Sequence, residues 1–183
     1  MESLPIKKFV LETYGCQMNT ADSELVEGIL LNLGLEKTQD LHDADAIFLN
    51  TCAIRENAEV KVHSRLGNLH KIKRSKPHLI IGVLGCMAQN LKDDLLKNKP
   101  YVDIILGPDS YRNIPKLMNR HLTEKKSIVD TKLSRYEVYE DMFPSRGDTF
   151  NECVYIMRGW DKFCYFSIVN LTRGREIIKT FEI

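Results

Sequence analysis

The sequence predicts an α/β protein built on a parallel sheet with helices on both faces. Two observations carry that prediction. Apolar runs of strand length alternate with helical stripes about four times in the first 130 residues, which is the order βαβ units produce. Three of the runs also finish beside a cysteine flanked by turn or cap residues, as strands do where they hand over to loops.

The first strand is Lys8 to Tyr14, the second Ala46 to Asn50 and the third Leu79 to Gly85. Asp103 to Leu106, closed by Gly107-Pro108, and Ser127 to Val129 are the fourth and fifth. Between strands one and two, Leu25, Ile29 and Leu33 form an apolar stripe. Asp22 and Ser23 stand before it as N-cap residues and Gly34 stops it. Val62, Leu66, Leu69 and Ile72 mark a second helix, ended before Pro77, and Leu91 to Lys97 and Ile114 to Leu122 give two shorter ones. Residues 1–130 thus read as one α/β domain. Residues 131–152, with charges, Pro144 and Gly147 but little periodicity, read as a linker. A strand from Cys153 to Met157 opens a further piece, 153–183.

Composition narrows the partners. The 183 residues are 43% hydrophobic and 28% charged, with 26 basic against 25 acidic side chains and a net charge of +1. Whole-chain electrostatics therefore give no signature for RNA, DNA or an anionic membrane, and a nucleic-acid role needs a local patch. The densest basic cluster, Lys71 to Lys76, reads first as a solvated helix end whose cations complement the dipole, with an RNA contact as the lesser reading. No apolar run approaches a membrane span of about 20 residues, and the N-terminus lacks a signal-peptide layout. A cytoplasmic chain, monomeric, is the expectation.

Five cysteines, at 16, 52, 86, 153 and 164, are odd in number and widely spaced, unlike a secreted disulfide framework. Cys16, Cys52 and Cys86 follow strands one, two and three, and in a parallel sheet ligands gather beyond the carboxyl ends of the strands. Three thiolates on one rim can hold three irons of a cubic cluster and leave the fourth open. Buried, inert thiols are the alternative, and pattern alone leaves the two open. Zinc fits less well, because Cys-x-x-Cys pairs are absent and no His stands beside the three cysteines.

Thr13-Tyr14-Gly15-Cys16-Gln17-Met18-Asn19, Asn50-Thr51-Cys52-Ala53-Ile54-Arg55-Glu56-Asn57-Ala58 and Gly85-Cys86-Met87-Ala88 resemble the radical S-adenosylmethionine methylthiotransferases. The likeness extends through Gly107-Pro108-Asp109 and from Ile156 to Glu176. Gln17-Met18 resembles the branch that methylthiolates N6-isopentenyladenosine next to the tRNA anticodon. The resemblance implies tRNA as substrate and an auxiliary 4Fe–4S cluster on Cys16, Cys52 and Cys86, whose open iron carries the sulfur delivered. It further implies a barrel with a second 4Fe–4S cluster on a Cys-x-x-x-Cys-x-x-Cys run, which cleaves S-adenosylmethionine to a radical.

The chain departs from that pattern at the second cluster, where Trp160, Cys164 and Ser167 stand at the three ligand positions. Indole offers no lone pair to iron and a serine hydroxyl is a harder, far less acidic donor than a thiol, so only Cys164 remains as a competent ligand, a remnant of the motif. Cys153 lies about 7 residues before Trp160, at roughly 3.3 Å per residue, too far to substitute, and reads as a strand core residue. Asn170 stands where the family usually has Pro, while Thr172-Arg173-Gly174-Arg175-Glu176 is intact. With the barrel cut short at Ile183, the expectation is a chain inactive by itself that retains auxiliary-cluster binding. The alternative is a non-catalytic α/β module that binds tRNA or a protein partner without a cluster. Arg173 and Arg175 are possible contacts for anionic groups. Asn19, Asn50 and Asn57 read as turn and cap residues rather than substrate contacts, and Arg55 equally as an ion-pair partner or a neighbour of the cluster.

Overall fold

A computed structural model describes residues 5–53, 56–134, 136, 137, 139, 142, 144, 145, 155–162 and 168–178, with side chains at 56–58 left aside. Six strands form one sheet: β1 (Lys8–Tyr14), β2 (Glu36–Lys37), β3 (Ala46–Thr51), β4 (Ile80–Gly85), β5 (Ile104–Leu106) and β6 (Ile128–Asp130). Their order is β2-β1-β3-β4-β5-β6, and every neighbouring pair is parallel. The α/β class and the parallel sheet are therefore as the sequence predicts. The two-residue β2, exposed on both positions, is an addition that no apolar alternation could announce.

The helices are α1 (Gln17–Asn32), α2 (Glu56–Ser75), α3 (Cys86–Asn90), α4 (Lys92–Asn98) and α5 (Ile114–Glu124). They divide between two cores. Leu25, Val26 and Leu30 of α1 and Ile114 and Met118 of α5 pack with Phe9, Phe48 and Leu84 on one face. Val62, Leu66 and Leu69 of α2 and Leu95 of α4 pack with Ile47, Leu49, Ile81 and Val83 on the other. β3 and β4 are buried at every position because both faces are covered.

Helix α1 begins earlier than its apolar stripe indicates. Cys16 occupies the N-cap, and Asp22 and Ser23 lie inside the helix, both buried. The cap is supplied from the third helical position: Asn19 Oδ1 accepts from the Cys16 backbone N–H at 3.3 Å, the second half of a capping box. Asp22 is thereby released from capping and, as described below, serves a tertiary purpose.

Beyond β6 the chain returns to the α1/α5 face of the sheet. Tyr139 is buried in the α1/α5 core, and its hydroxyl donates to the Pro108 carbonyl at 2.9 Å. A two-stranded antiparallel ladder, β7 (Met157–Arg158) with β8 (Ile177–Ile178), brackets a short helix, α6 (Val169–Arg173). The expected strand from Cys153 is thus reduced to β7, with Tyr155 and Ile156 outside it; Cys153 lies outside the described residues.

Candidate cysteine rim

The sheet changes direction between β1 and β3. From β1 the chain moves outward to β2 on one side, then returns to place β3 and its successors on the other. Such a switch point opens a crevice beyond the strand ends. Cys16 and Cys52 stand at it, and Cys86 stands at the end of the next strand, β4.

Register fixes how close the three are. Tyr14, Thr51 and Gly85 form one lateral row across β1, β3 and β4. Cys16 follows that row by two residues, and Cys52 and Cys86 follow it by one. Adjacent strands lie about 4.8 Å apart, so the row spans roughly 10 Å. The Cys52 N–H donates to the Tyr14 carbonyl at 2.9 Å, carrying the pairing past the strand end. A Cβ placed on Gly15 would stand only 2.9 Å from the Cys52 Cβ, so this residue must be small for the first and second cysteine loops to meet.

A buried amide network holds the rim together. Asn50 Nδ2 donates to the Asn19 carbonyl at 2.8 Å and to Ser23 Oγ at 2.9 Å, and Ser23 Oγ lies 2.7 Å from Thr13 Oγ1. Asn19 Nδ2 donates to Asn50 Oδ1 at 3.1 Å and to the Thr51 carbonyl at 3.3 Å. Thr51 Oγ1 donates to the Leu84 carbonyl at 2.7 Å. Asn19 and Asn50 therefore tie α1 to β3, beyond the turn and cap roles their residue type suggests. The side chain of Asn57, Arg55, and both Cys164 and Ser167 lie outside the described residues.

The thiols differ in setting. Cys16 is half-buried, and its Sγ lies 3.4 Å from Asn19 Oδ1. Cys52 and Cys86 are buried. Burial pushes the Cys86 thiol above its ordinary value, with Arg173 pulling the other way. That arginine is the main residue that sequence reasoning missed in its actual role. It is 3% exposed rather than facing an anionic ligand. Its Nη2 and Nη1 reach Asp22 Oδ2 and Oδ1 at 2.7 and 3.4 Å, and its Nε donates to Cys86 Sγ at 3.2 Å. Tyr111 and Tyr155 hydroxyls complete the Asp22 shell at 3.2 and 2.6 Å. Burial works against the Arg173 charge, but the Asp22 carboxylate outweighs it and holds the guanidinium above its usual value.

In donor type and rim position the three cysteines fit a three-thiolate ligand set. The sulfurs of Cys16 and Cys86 are engaged by Asn19 and Arg173, however, and among the described residues no three His, Cys, Asp or Glu side chains converge to hold a metal. Trp160 is 39% exposed and lines an open groove of about 680 Å³ with Leu133, Leu171 and Ile177, its indole offering no ligand atom. The basic cluster at the end of α2 lies at the opposite, N-terminal edge of the sheet. There Lys73 pairs with Asp103, and Lys76 pairs with Asp45 and donates to the Ala44 carbonyl.

The sequence matches the model of the uncharacterized protein family UPF0004 over residues 8–107, which includes β1 to β5 and all three rim cysteines. The chain belongs to the UPF0004 family. Curated relatives of this chain are longer proteins. A tRNA-2-methylthio-N(6)-dimethylallyladenosine synthase of Bacteroides fragilis is 46% identical over 178 residues, 96% of this chain and 38% of the relative. The synthase of that name from Bacteroides thetaiotaomicron is 47% identical over 178 residues, 96% and 39% of the two chains. That of Chloroherpeton thalassium is 46% identical over 166 residues, 91% and 37%. This UPF0004 chain thus spans somewhat more than a third of the length of these relatives, and the resemblance read from its cysteine motifs is borne out at the level of the family.

Proposed function

We propose that this chain is the sulfur-carrying front part of a tRNA methylthiotransferase, with Cys16, Cys52 and Cys86 as ligands of an auxiliary 4Fe–4S cluster. The observation that carries the reading is the placement of three thiols at the ends of three adjacent strands, at the switch point of a sheet whose relatives are named for tRNA methylthiolation. A cluster held by three thiolates supplies one iron open to a sulfur ligand. The chain's own contribution is to fix three cysteine backbones: Asn19 holds Cys16 at the start of α1, the Asn50 network holds the end of β3, and Gly85 turns the chain into Cys86.

Radical generation is outside what these residues supply. Trp160 and Ser167 replace two of the three thiols that the resemblance requires for the second cluster, leaving Cys164, so neither that cluster nor S-adenosylmethionine cleavage belongs to this chain alone. The substrate is tRNA, and the setting is the cytoplasm where tRNA is modified; among the described residues no helix is long and apolar enough to cross a membrane. A 1–130 α/β domain, a 131–152 linker and a 153–183 barrel start remain the proposed division.

Anaerobic reconstitution with ferrous iron and sulfide tests the reading. A brown protein with about four irons per chain is expected, lost in Cys52→Ala. A colourless, iron-free product after reconstitution overturns it. S-adenosylmethionine cleaved upon reduction overturns the second part. One observation favours a cluster-free module that docks tRNA or a partner, namely the engagement of Cys86 Sγ by Arg173. Salt-sensitive tRNA binding by the colourless protein is its signature.

A further inference from the structure

Asp22 lies near the middle of α1 and is 1% exposed. A carboxylate so placed is costly unless paired and hydrogen-bonded. Four side-chain donors meet that requirement: two nitrogens of Arg173 and the hydroxyls of Tyr111 and Tyr155. The guanidinium is a rigid planar fork. Once its terminal nitrogens are committed to Asp22, the remaining Nε–H has a fixed direction, and it meets Cys86 Sγ at 3.2 Å. Cys86 is left 3% exposed, whereas Cys16 on the same rim is half-buried.

We propose that α6 is a latch over Cys86: Arg173, aimed by Asp22, closes the sulfur inside the iron-free chain, and the latch opens before Cys86 accepts iron or any other electrophile. Arg173 is then a positioning residue of the rim, acting through the Asp22 carboxylate. The inference rests on the reading of the three cysteines as a ligand set, but its test uses no iron and is independent of whether a cluster forms.

The test is site-resolved alkylation of the whole, reduced, iron-free chain with iodoacetamide, read by mass spectrometry. Cys52, also buried on the rim, serves as the internal reference. In the native chain Cys16 is modified first and Cys86 slowly. In Asp22→Asn and Arg173→Ala the Cys86 rate is expected to rise about tenfold or more against the Cys52 rate. The guanidinium also favours the thiolate, so in Arg173→Ala the ionisation effect alone would slow alkylation and acceleration reads opening; Asp22 disfavours the thiolate, so the Asp22→Asn rate counts as opening only where Arg173→Ala accelerates too. A Cys86 rate within about twofold of native overturns the proposal, and so does a parallel rise at Cys52, which marks general loosening. Should Arg173→Ala fail to fold, Arg173→Lys keeps a cation beside Asp22 without the Nε–H donor, and the same ratio decides.

Discussion

Asn50 and Asn19 are bonded twice across the gap between β3 and α1, each side chain donating to the other residue, at 2.8 and 3.1 Å. Both are fully buried. Removal of one leaves polar groups of the other unsatisfied, which costs more than the lost bonds themselves. Asn50→Ala strips a donor from Ser23 Oγ as well, so a loss of about 2–3 kcal/mol is expected. Thermal unfolding should show the midpoint falling by roughly 5–10 °C for a chain of this size. The fall should be accompanied by faster alkylation of Cys16, whose backbone N–H is held by Asn19.

Gly85→Ala is expected to damage the same rim from the opposite side. Gly85 has φ +89° and hands β4 directly to Cys86. A Cβ there would meet Asn50 Oδ1 at 2.5 Å and the Thr51 carbonyl at 2.7 Å. Backbone strain of about 1–3 kcal/mol adds to that collision, because L side chains rarely adopt this conformation. The measurable outcome is a destabilisation larger than Gly67→Ala, where a Cβ meets nothing within 4 Å. In an exposed-space helix position alanine instead stabilises by up to about 1 kcal/mol.

How much of this was legible beforehand depends on the range of the interaction. The long strands β1, β3 and β4 carried apolar runs and were readable to within a residue or two, and so was the placement of all three cysteines at strand ends. The start of α1 lies before the expected one because Asp22 and Ser23 look like caps in isolation. Asp22's partner lies 151 residues away in sequence, and no local pattern encodes that. Arg173 was visible as part of an intact motif, but its burial follows from Tyr111, Tyr155 and Asp22 converging in space. The amide network of Asn19 and Asn50 was hidden for the same reason: the residue type suits a turn equally well.

Acid should weaken β1 through Glu12. Burial pushes its carboxyl up, but Arg65, with contacts at 3.0 and 2.5 Å, and the Tyr14 hydroxyl at 2.7 Å outweigh burial and bring it below the ordinary 4.5. The folded value is lower than the unfolded one, so the stabilisation is present above about pH 4.5 and fades as pH falls through the folded value. Arg65→Met is expected to cost about 1 kcal/mol at pH 7 for this half-buried pair, a midpoint shift of about 2–4 °C. Unfolding scans from pH 7 to pH 3 should show that gap closing. On the alkaline side, burial first and Glu12 second push Tyr14 up to about 12. Its contribution is whole below the ordinary 10.0 and is lost as pH rises toward 12, so Tyr14→Phe should flatten that limb.

Arg158 decides whether β7 and β8 stay docked on the loop that follows β5. Its guanidinium pairs with Asp109 at 2.8 Å and donates to the Pro108 and Glu137 carbonyls at 3.0 and 3.1 Å. It also lies over the Tyr139 ring at 4.7 Å from the centroid. Both members of the ion pair are nearly inaccessible. Burial pushes the Asp109 carboxyl up, and Arg158 is the first influence opposing it. Arg158→Met keeps much of the packing volume but leaves Asp109 buried without its cation, a loss of about 3–5 kcal/mol. The loss should be concentrated in the docked segment. Amide exchange at Met157, Arg158, Ile177 and Ile178 is therefore expected to accelerate by about two orders of magnitude or more, while the β3 and β4 amides keep their protection. Equal acceleration in β3 would mean that the segment and the sheet unfold as one unit, and the docking role assigned to Arg158 would fall.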